Sequence, residues 1–411
     1  MTGAKQGRRV AQAAREARAA LRASPLGRKL KGVAAWVERK RKCLKDPVDV
    51  ANGVMLFGQV DVELPGPIPF AWERKWYSNS EYAGPLGSGW HHAYDAALLT
   101  NVEEVAVRLG DGRLALFKQP TTDTGYRVFN RLERLELTLD AEGNYRVFSL
   151  DERRTYCFAP LATDLETCRL RRIEDANGFA IALTYDAQGQ LRTLTDSAGR
   201  QVRLKLDAHS RIIALEAPRP DGPDYFTAVS YQYDEAGNLT AVTDALGYTV
   251  RYAYQGHLLI QKTSASGVSF YFEYDGSGPA ARCVHTWGDG GLLNGRFTYE
   301  PGRTTITSTT LGDTSLYEHT DGLVTRHTDP LGAVCEWTYN VNGDLVLERD
   351  PLGRATSYAY DTRGNQTQIT SSDKRKESTQ YNSQDLPVQV TAGDGSRWQW
   401  TYDEAGNLLE R

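Results

Sequence analysis

Aromatic and polar positions recur at a fixed interval along the C-terminal part of the chain. Tyr339, Tyr360, Tyr381 and Tyr402 follow one another in steps of 21 residues, and most have another aromatic ring two positions earlier. Residues two positions apart on a β-strand point to the same face of the sheet. A constant period of this length predicts a repeat architecture.

Each 21-residue unit is predicted to form two strands and two turns. The first strand runs into an Asp-x-x-Gly-Asn sequence such as residues 403–407, where aspartate opens a type I turn and glycine accepts positive φ. The return strand ends in a second turn, as in residues 350–353 (Asp-Pro-Leu-Gly), where proline fixes φ. Because a single hairpin is marginal in water, the units must pair edge to edge. The sequence therefore predicts a mainly β protein with a continuous antiparallel sheet.

The tyrosine phrase and the Asp-Pro-Leu-Gly turn resemble the hallmarks of the RHS/YD-repeat family. The resemblance implies hairpins that spiral into a hollow β-cocoon, which would hold a C-terminal toxin for delivery, often by type VI secretion. It also implies that the tyrosines, turn aspartates and turn glycines act by shaping the repeats. These structural residues are Tyr185, Asp186, Gly189, Tyr233, Asp234, Gly237, Tyr339, Gly343, Tyr360, Asp361, Gly364, Tyr381, Tyr402, Asp403 and Gly406.

The repeats are predicted to occupy residues 166–411. A proline-rich insertion at residues 217–223 delays the copy at Tyr233, and the pattern blurs around residues 288–310. The last copy is incomplete at Arg411. We therefore expect the N-terminal part of an RHS shell, either as a truncated gene product or as a shortened fragment, with the toxin domain missing from this chain.

The preceding segment, residues 47–165, also predicts β-structure. Its start contains an Asp-Pro-Val-Asp phrase (residues 46–49), a Pro/Gly cluster (residues 64–70) and a Gly-Trp step (residues 89–90). In that order these phrases resemble the domain that precedes the repeats in bacterial RHS proteins. Asn52 stands where the resemblance leads us to expect threonine.

Residues 1–46 predict a basic helical arm. A first helix covers Ala11–Ala23, and Ser-Pro-Leu-Gly at residues 24–27 interrupts it. A second helix is predicted from about Arg28 to Lys45, and Pro47 stops it. The apolar positions of the second helix fall on one face: Leu30, Val33, Val37 and Leu44.

The arm also separates the charges of the chain. Residues 1–45 hold 14 Lys/Arg and two acids, giving +12, so a net charge of −4 leaves −16 (−4 − 12) on the remainder. A basic arm is typical of nucleic-acid or anionic-membrane binding. This arm lacks a recognised nucleic-acid motif, which favours a solvated helix that leads into the sheet or docks on a partner, such as a secretion spike protein or a chaperone.

The sequence shows neither a signal peptide nor a membrane-spanning helix. The basic N-terminal residues are followed neither by the apolar core nor by the cleavage site of a signal peptide. No run approaches the ~18 apolar residues of a membrane helix. The five cysteines are scattered and odd in number, which favours free thiols in a reducing cytosol: Cys43, Cys157, Cys168, Cys283 and Cys335. We expect synthesis in the cytoplasm followed by secretion.

Candidate catalytic and metal-binding motifs are weak. His91 and His92 are neighbours on a predicted strand, so they point to opposite faces and do not easily share a metal. Gly87-Ser88-Gly89 falls short of a Gly-x-Ser-x-Gly nucleophile elbow. The regular Asp-x-x-Gly spacing favours turn formation over paired catalytic carboxylates. We expect no enzyme activity, no cofactor and no small-molecule substrate.

The aromatic rows admit two interpretations. As a ladder between repeats, each ring pair contributes ~0.5–1.5 kcal/mol beyond burial, whereas exposed rings would stack on sugars. Packing is favoured, so the main hypothesis is a non-catalytic shell for a C-terminal effector. The alternative is an RHS/YD surface protein that binds carbohydrate or mediates cell contact. The aromatic pairs are Tyr231/Tyr233, Tyr252/Tyr254, Tyr358/Tyr360 and Trp398/Trp400.

The resemblance adds a test for an end-of-shell motif. RHS shells that enclose toxins usually end with an Asp-Pro-x-Gly-Leu autoproteolysis sequence. Residues 329–333 and 350–354 both lack the leucine after glycine and lie inside repeats. We therefore assign that role to neither segment.

Overall fold

The computed structural model describes residues 24–31, 33–34, 43–44, 48–120, 126–162 and 164–411. Within these residues almost all regular structure is β, and the largest sheet runs through the whole repeat region. The predicted mainly β class and the large antiparallel sheet are confirmed. Among the described residues, no helix is both long enough and apolar enough to cross a bilayer.

The described residues of the N-terminal arm contain less helix than the sequence predicts. Helix α1 spans only Pro25–Leu30, and the short strands β1 (Val33–Ala34) and β2 (Cys43–Leu44) follow it. The predicted helix over residues 28–45 is therefore wrong. The predicted helix over Ala11–Ala23 lies outside the described residues.

Two local causes explain this difference. Proline is tolerated in the first helical turn, where its missing N–H has no helical acceptor, so Pro25 begins a helix instead of breaking one. The Arg28 N–H donates to the Ser24 carbonyl at 3.1 Å, and the Ser24 hydroxyl donates to Glu104 at 2.5 Å. Beyond α1, strand β1 pairs in parallel with residues 113–114, so the sheet takes the main-chain groups that a helix would use.

The start of the pre-repeat segment forms a small antiparallel sheet. Strands β4 (Leu56–Leu64), β5 (Phe70–Tyr77) and β8 (Trp90–His92) pair side by side, and every second residue of β5 is buried. This three-stranded unit is called the inner sheet below. The strands of this part are β3 (Val48–Asp49), β4 (Leu56–Leu64), β5 (Phe70–Tyr77), β6 (Ala83–Gly84), β7 (Gly87–Ser88) and β8 (Trp90–His92).

The next strands start the main sheet. The last of them, β16 (Asp164–Glu174), is a junction: it pairs with β15 along most of its length, with β9 at residues 167–169, and with the first repeat strand, β17 (Ala180–Tyr185), at residues 172–174. The strands are β9 (Ala97–Thr100), β10 (Glu104–Arg108), β11 (Arg113–Lys118), β12 (Val128–Asn130), β13 (Leu135–Leu139), β14 (Tyr145–Ser149), β15 (Arg154–Leu161) and β16 (Asp164–Glu174).

The repeat region continues the same sheet. Each strand from β17 to β36 pairs antiparallel with the strand that follows it, and β38 pairs with β39. The strands are β17 (Ala180–Tyr185), β18 (Leu191–Thr195), β19 (Gln201–Leu206), β20 (Ile212–Pro218), β21 (Tyr225–Tyr233), β22 (Leu239–Asp244), β23 (Thr249–Gln255), β24 (Leu258–Thr263), β25 (Ser269–Tyr274), β26 (Cys283–Gly288), β27 (Gly295–Glu300), β28 (Arg303–Ser308), β29 (Thr314–Thr320), β30 (Leu323–Thr328), β31 (Val334–Tyr339), β32 (Leu345–Arg349), β33 (Ala355–Tyr360), β34 (Gln366–Thr370), β35 (Lys376–Tyr381), β36 (Pro387–Thr391), β37 (Arg397–Gln399), β38 (Thr401–Tyr402) and β39 (Leu408–Glu410).

The hydrophobic core lies between the inner sheet and one face of the repeats. The inner sheet contributes three fully buried tryptophans, Trp72, Trp76 and Trp90. The repeats contribute one residue row per strand, such as Leu239 and Leu259, which are both 0% exposed. The alternation of buried and exposed residues along these strands places the polar side chains on the opposite, solvated face.

Candidate functional site

Tyrosine hydroxyl groups connect successive repeats across the sheet. The Tyr402 hydroxyl donates a hydrogen bond of 2.9 Å to the main-chain oxygen of Pro387, which is 15 residues earlier. The same 15-residue step recurs in four other repeats, at 2.7 to 3.1 Å. The additional pairs are Tyr185–Leu170, Tyr274–Leu259, Tyr339–Val324 and Tyr381–Gln366.

Burial keeps these phenols in the form that donates. It raises the pKa of Tyr339 to about 12, and it raises the pKa values of Tyr185 and Tyr381 as well. A phenol that stays protonated across ordinary pH remains a hydrogen-bond donor. Tyr360 occupies the same position and is half-buried, but its hydroxyl makes no hydrogen bond to the described residues.

The turn aspartates act as caps on their own hairpins. Asp361 Oδ1 accepts the main-chain N–H groups of Arg363 and Asn365 at 2.9 Å each. Gly364 donates to the Asp361 carbonyl at 3.2 Å and has φ of 91°, a conformation that favours glycine. The other predicted turn glycines have φ between 71° and 85°: Gly189, Gly237, Gly343 and Gly406. These carboxylates hold turns and do not face one another.

The turn after Tyr381 departs from the predicted pattern. There, Asp385 takes the place of glycine and has φ of 62°. Its carboxylate pairs with Arg363 of the preceding repeat at 2.8 Å. In the sequence, the absence of glycine at this turn position is the only feature that could have indicated a special role for Asp385. The predicted structural residues thus fall in successive hairpins, up to three to a hairpin, and the set is spread along the sheet instead of converging on one site.

A buried polar cluster fixes the inner sheet to the repeats. Asp61 and Arg74, on neighbouring strands of the inner sheet, form an ion pair of 2.7 Å. Asp61 also accepts a hydrogen bond of 2.8 Å from Tyr231, and Arg74 donates one of 3.1 Å to Tyr252. Both tyrosines are almost fully buried, at 3% and 5% exposure. The predicted aromatic row is therefore covered at these two repeats.

Contacts on both sides of this cluster extend the interface. The Trp90 indole donates to the Tyr254 hydroxyl at 3.2 Å, and the Thr304 hydroxyl donates to the Val50 carbonyl at 2.6 Å. A side chain at Gly87 would collide with the carbonyl of Gly237, so the backbones pack directly there. The inner sheet and its flanking loops therefore cover several consecutive repeats.

The same aromatic row is more open near the C-terminus. Tyr358 and Tyr360 are half-buried, and Trp398 is 42% exposed. Part of each ring is therefore accessible to solvent in the described structure. The row is thus covered in the middle repeats and half-open in the last ones.

The last repeats return to an early part of the chain. Arg131 forms an ion pair of 2.7 Å with Asp344, and Arg134 donates to the Arg363 carbonyl at 2.7 Å. These partners are 213 and 229 residues apart. The sheet therefore closes against itself, with the turns at residues 130–134 against turns of the last repeats.

The adjacent histidines have structural surroundings. The His92 ring stacks on Trp72 at 4.4 Å, and the His91 ring stacks on Tyr82 at 4.9 Å. His91 also shares a hydrogen bond of 3.0 Å with Ser80. Burial lowers the pKa values to about 3 for His91 and about 4 for His92, so both rings are neutral at pH 7. Within the described part of the chain, no group of three or more His, Cys, Asp or Glu residues is placed to hold a metal ion.

A cavity of about 510 Å³ beside the first repeat contains a mutually bonded charge cluster. Asp95 accepts a short hydrogen bond from the Tyr82 hydroxyl and lies 3.4 Å from Arg108. The Arg108 guanidinium sits 3.8 Å from the centre of the Tyr82 ring. Tyr82 thus contacts both charged groups of the cluster, as a hydrogen-bond donor to Asp95 and through its ring to Arg108.

Comparisons with known proteins agree with the repeat structure. Residues 45–117 match a family described as Domain of unknown function (DUF6531). The family described as RHS Repeat matches residues 169–201, 233–269, 339–376 and 381–411.

Several named proteins share part of the sequence. "Probable deoxyribonuclease RhsB" of Dickeya dadantii (strain 3937) is 28% identical over 330 residues, which are 77% of this chain and 22% of that protein. "Double-stranded DNA deaminase toxin A" of Burkholderia cenocepacia (strain H111) is 28% identical over 160 residues, which are 38% of this chain and 11% of that protein. The chain thus spans about a fifth or less of the length of these relatives.

Among solved structures, "Structure of Photorhabdus luminescens Tc holotoxin pore, Mutation TccC3-D651A" aligns with a TM-score of 0.43 and 12% identity. The alignment covers 87% of this chain and 23% of that one. The four RHS Repeat matches fall on the hairpins whose tyrosines, turns and 21-residue step are described above, and the chain belongs to the RHS/YD-repeat family.

Proposed function

We propose that this chain is a non-catalytic shell segment of an RHS-repeat toxin-delivery protein, in which it would enclose a C-terminal effector. The observation that carries the proposal is the closure of the sheet on itself: turns near Arg131 and Arg134 contact turns more than 200 residues later. A sheet wound in this way can continue into a spiralling, hollow β-cocoon as further repeats are added.

The surroundings of the polar groups support the non-catalytic part. The turn aspartates bond their own main chains, and the buried Asp95 carboxylate is paired with Arg108 and accepts a hydrogen bond from Tyr82. The relatives are named as a probable deoxyribonuclease and a DNA deaminase toxin, and this chain matches only 22% and 11% of their lengths. In our proposal such activities belong to a separate effector region.

The test uses the complete gene product, with any residues that follow Arg411 in the same reading frame. Limited proteolysis of the folded protein should leave a C-terminal effector region intact until urea unfolds the shell. A matched sample in which the shell is unfolded first should lose that region at once. Equal digestion of the effector in both samples would contradict the proposal.

Delivery is a further part of the proposal. We propose synthesis in the cytoplasm and secretion afterwards, by the type VI route that the family resemblance implies. Protein in the medium of the wild-type producer, and its loss from the medium of a type VI-deficient strain, are the expected results. Equal amounts in the two media would exclude this route.

A second candidate function rests on the half-open aromatic row of the last repeats. Trp398 is 42% exposed, and exposed rings can stack on sugars. A glycan array with the purified chain tests this alternative. The shell proposal predicts no binding above background, and binding that Trp398→Ala abolishes would favour a carbohydrate-binding surface protein.

A further inference from the structure

Two arginines occupy a backbone conformation that residues other than glycine rarely adopt. Arg134 has φ of 54° and Arg153 has φ of 56°. Each is the last residue of a hairpin turn, directly before strands β13 and β15. In most comparable turns of the sheet the positive φ falls on glycine, as at Gly178 and Gly199. A strained conformation that persists in an ordered turn points to a role for the side chain.

Both side chains reach the last repeats. Arg134 Nη1 donates to the Arg363 carbonyl at 2.7 Å, and Arg153 Nη1 donates to the Gln384 carbonyl at 2.6 Å. The partners are 229 and 231 residues apart in sequence. Arg134 Nη2 adds a bond of 3.0 Å to the Asn365 side chain.

The two acceptors are equivalent in the repeat. Arg363 is the third residue of the turn at 361–365, and Gln384 is the third residue of the turn at 382–386, one 21-residue period later. Both bonds use a main-chain carbonyl, which any residue provides. The contact therefore depends on the backbone conformation of the turn, and it tolerates changes in the side chains of the turn.

We propose that Arg134 and Arg153 form a latch that docks the repeat turns at 361–365 and 382–386 onto the earlier part of the sheet. Each arginine of the latch binds the main-chain carbonyl of the third residue in a repeat turn that begins with Asp or Asn. Glycine would relax the backbone at either position, but it would supply no donor. The latch concerns how the sheet closes on itself, and it stands whether or not the protein encloses an effector.

Lys374 provides a matched control. It also has positive φ, 66°, in a hairpin turn of the repeats, and it carries a positive charge. Its side chain is exposed and makes no hydrogen bond or ion pair with the described residues. Lys374→Gly therefore removes the same backbone strain and the same charge without touching the latch.

Hydrogen exchange of the full chain, read peptide by peptide by mass spectrometry, tests the latch. Arg134→Gly should speed exchange around 361–365, and Arg153→Gly should speed it around 382–386, each by about tenfold or more. Exchange in the variant's own hairpin should stay the same or slow. Lys374→Gly should change neither distant turn.

Two results would overturn the latch. One is wild-type exchange at 361–365 and 382–386 in both glycine variants. The other is loosening that stays in the mutated hairpin and does not reach its distant partner. If a glycine variant yields too little folded protein, Arg134→Lys and Arg153→Lys carry the same test, because lysine lacks the guanidinium fork and should also loosen the partner turn.

Discussion

Asp61 and Arg74 form an ion pair of 2.7 Å in which the side chains are only 4% and 1% exposed. The same two groups bond the hydroxyls of Tyr231 and Tyr252, which lie one 21-residue period apart. A single buried ion pair on the inner sheet therefore holds two successive repeats in position. This relationship links the pre-repeat segment to the tyrosine face of the sheet.

The first prediction concerns this pair. Arg74→Met should lower the free energy of unfolding by about 3–5 kcal/mol, because it leaves the Asp61 carboxylate buried without its cation. Lys75→Met is the control, since Lys75 is more exposed and makes only long ion pairs of 3.8 and 3.9 Å. That change should cost less than about 1 kcal/mol. Urea midpoints that are equal for the two variants would mean that the inner sheet is not packed on the repeats.

The second prediction compares two turn glycines. Gly364 and Gly353 have φ of 91° and 78°, so alanine should cost about 1 kcal/mol or more of backbone strain at each position. A Cβ at Gly364 would also lie 2.5 Å from Arg131 Nη1, whereas a Cβ at Gly353 would have open space. Gly364→Ala should therefore destabilise more than Gly353→Ala in urea unfolding. The reverse order would place the Arg131–Asp344 contact in doubt.

The third prediction concerns thiol reactivity. Cys283 is 0% exposed, and burial raises its thiol pKa to about 12, so little thiolate is present at pH 8. Cys335 is half-buried. Iodoacetamide followed by peptide mass spectrometry should label Cys335 in the folded protein and Cys283 only in urea. Early labelling of Cys283 would show that strand β26 is not in the core.

The fourth prediction concerns acid. Hydrogen bonds from the Asn407 side chain and main chain hold the pKa of Asp403 below 3.8, and the Ser396 main chain does the same for Asp394. A depressed folded pKa adds stability above the unfolded value, and that stability is lost as pH falls through the folded value. The urea midpoint should therefore stay level from about pH 6 to 5 and drop below about pH 4. A midpoint that rises on acidification would contradict the capping role.

The repeat hairpins could be predicted because their information is local. The positions of Tyr402, Asp403 and Gly406 follow from strand alternation and turn chemistry, which a few adjacent residues determine. The helix over residues 28–45 was wrong for the opposite reason. There the apolar spacing suits a helix, but pairing of Val33–Ala34 with residues 113–114 decides the conformation.

Long-range contacts gave no signal in the sequence. Nothing in the spacing of Asp61 and Arg74 indicates that they bond Tyr231 and Tyr252. The return of the sheet onto Arg134 joins residues 229 apart, and its acceptor is a main-chain carbonyl that has no sequence signature. The prediction that the Tyr360 ring is buried between repeats is also modified: the ring is half-buried.

The most direct test of the account is nitration of tyrosines in the folded chain, mapped by peptide mass spectrometry. The central claim is that the aromatic rows of the middle repeats are interior packing, with Tyr231 and Tyr252 3% and 5% exposed and their pKa values raised by burial. Tetranitromethane should modify Tyr126 and Tyr248, which are 53% and 60% exposed. Tyr231 and Tyr252 should react only after denaturation. Nitration of Tyr231 and Tyr252 as fast as Tyr248 would contradict the claim and favour an exposed carbohydrate-binding surface.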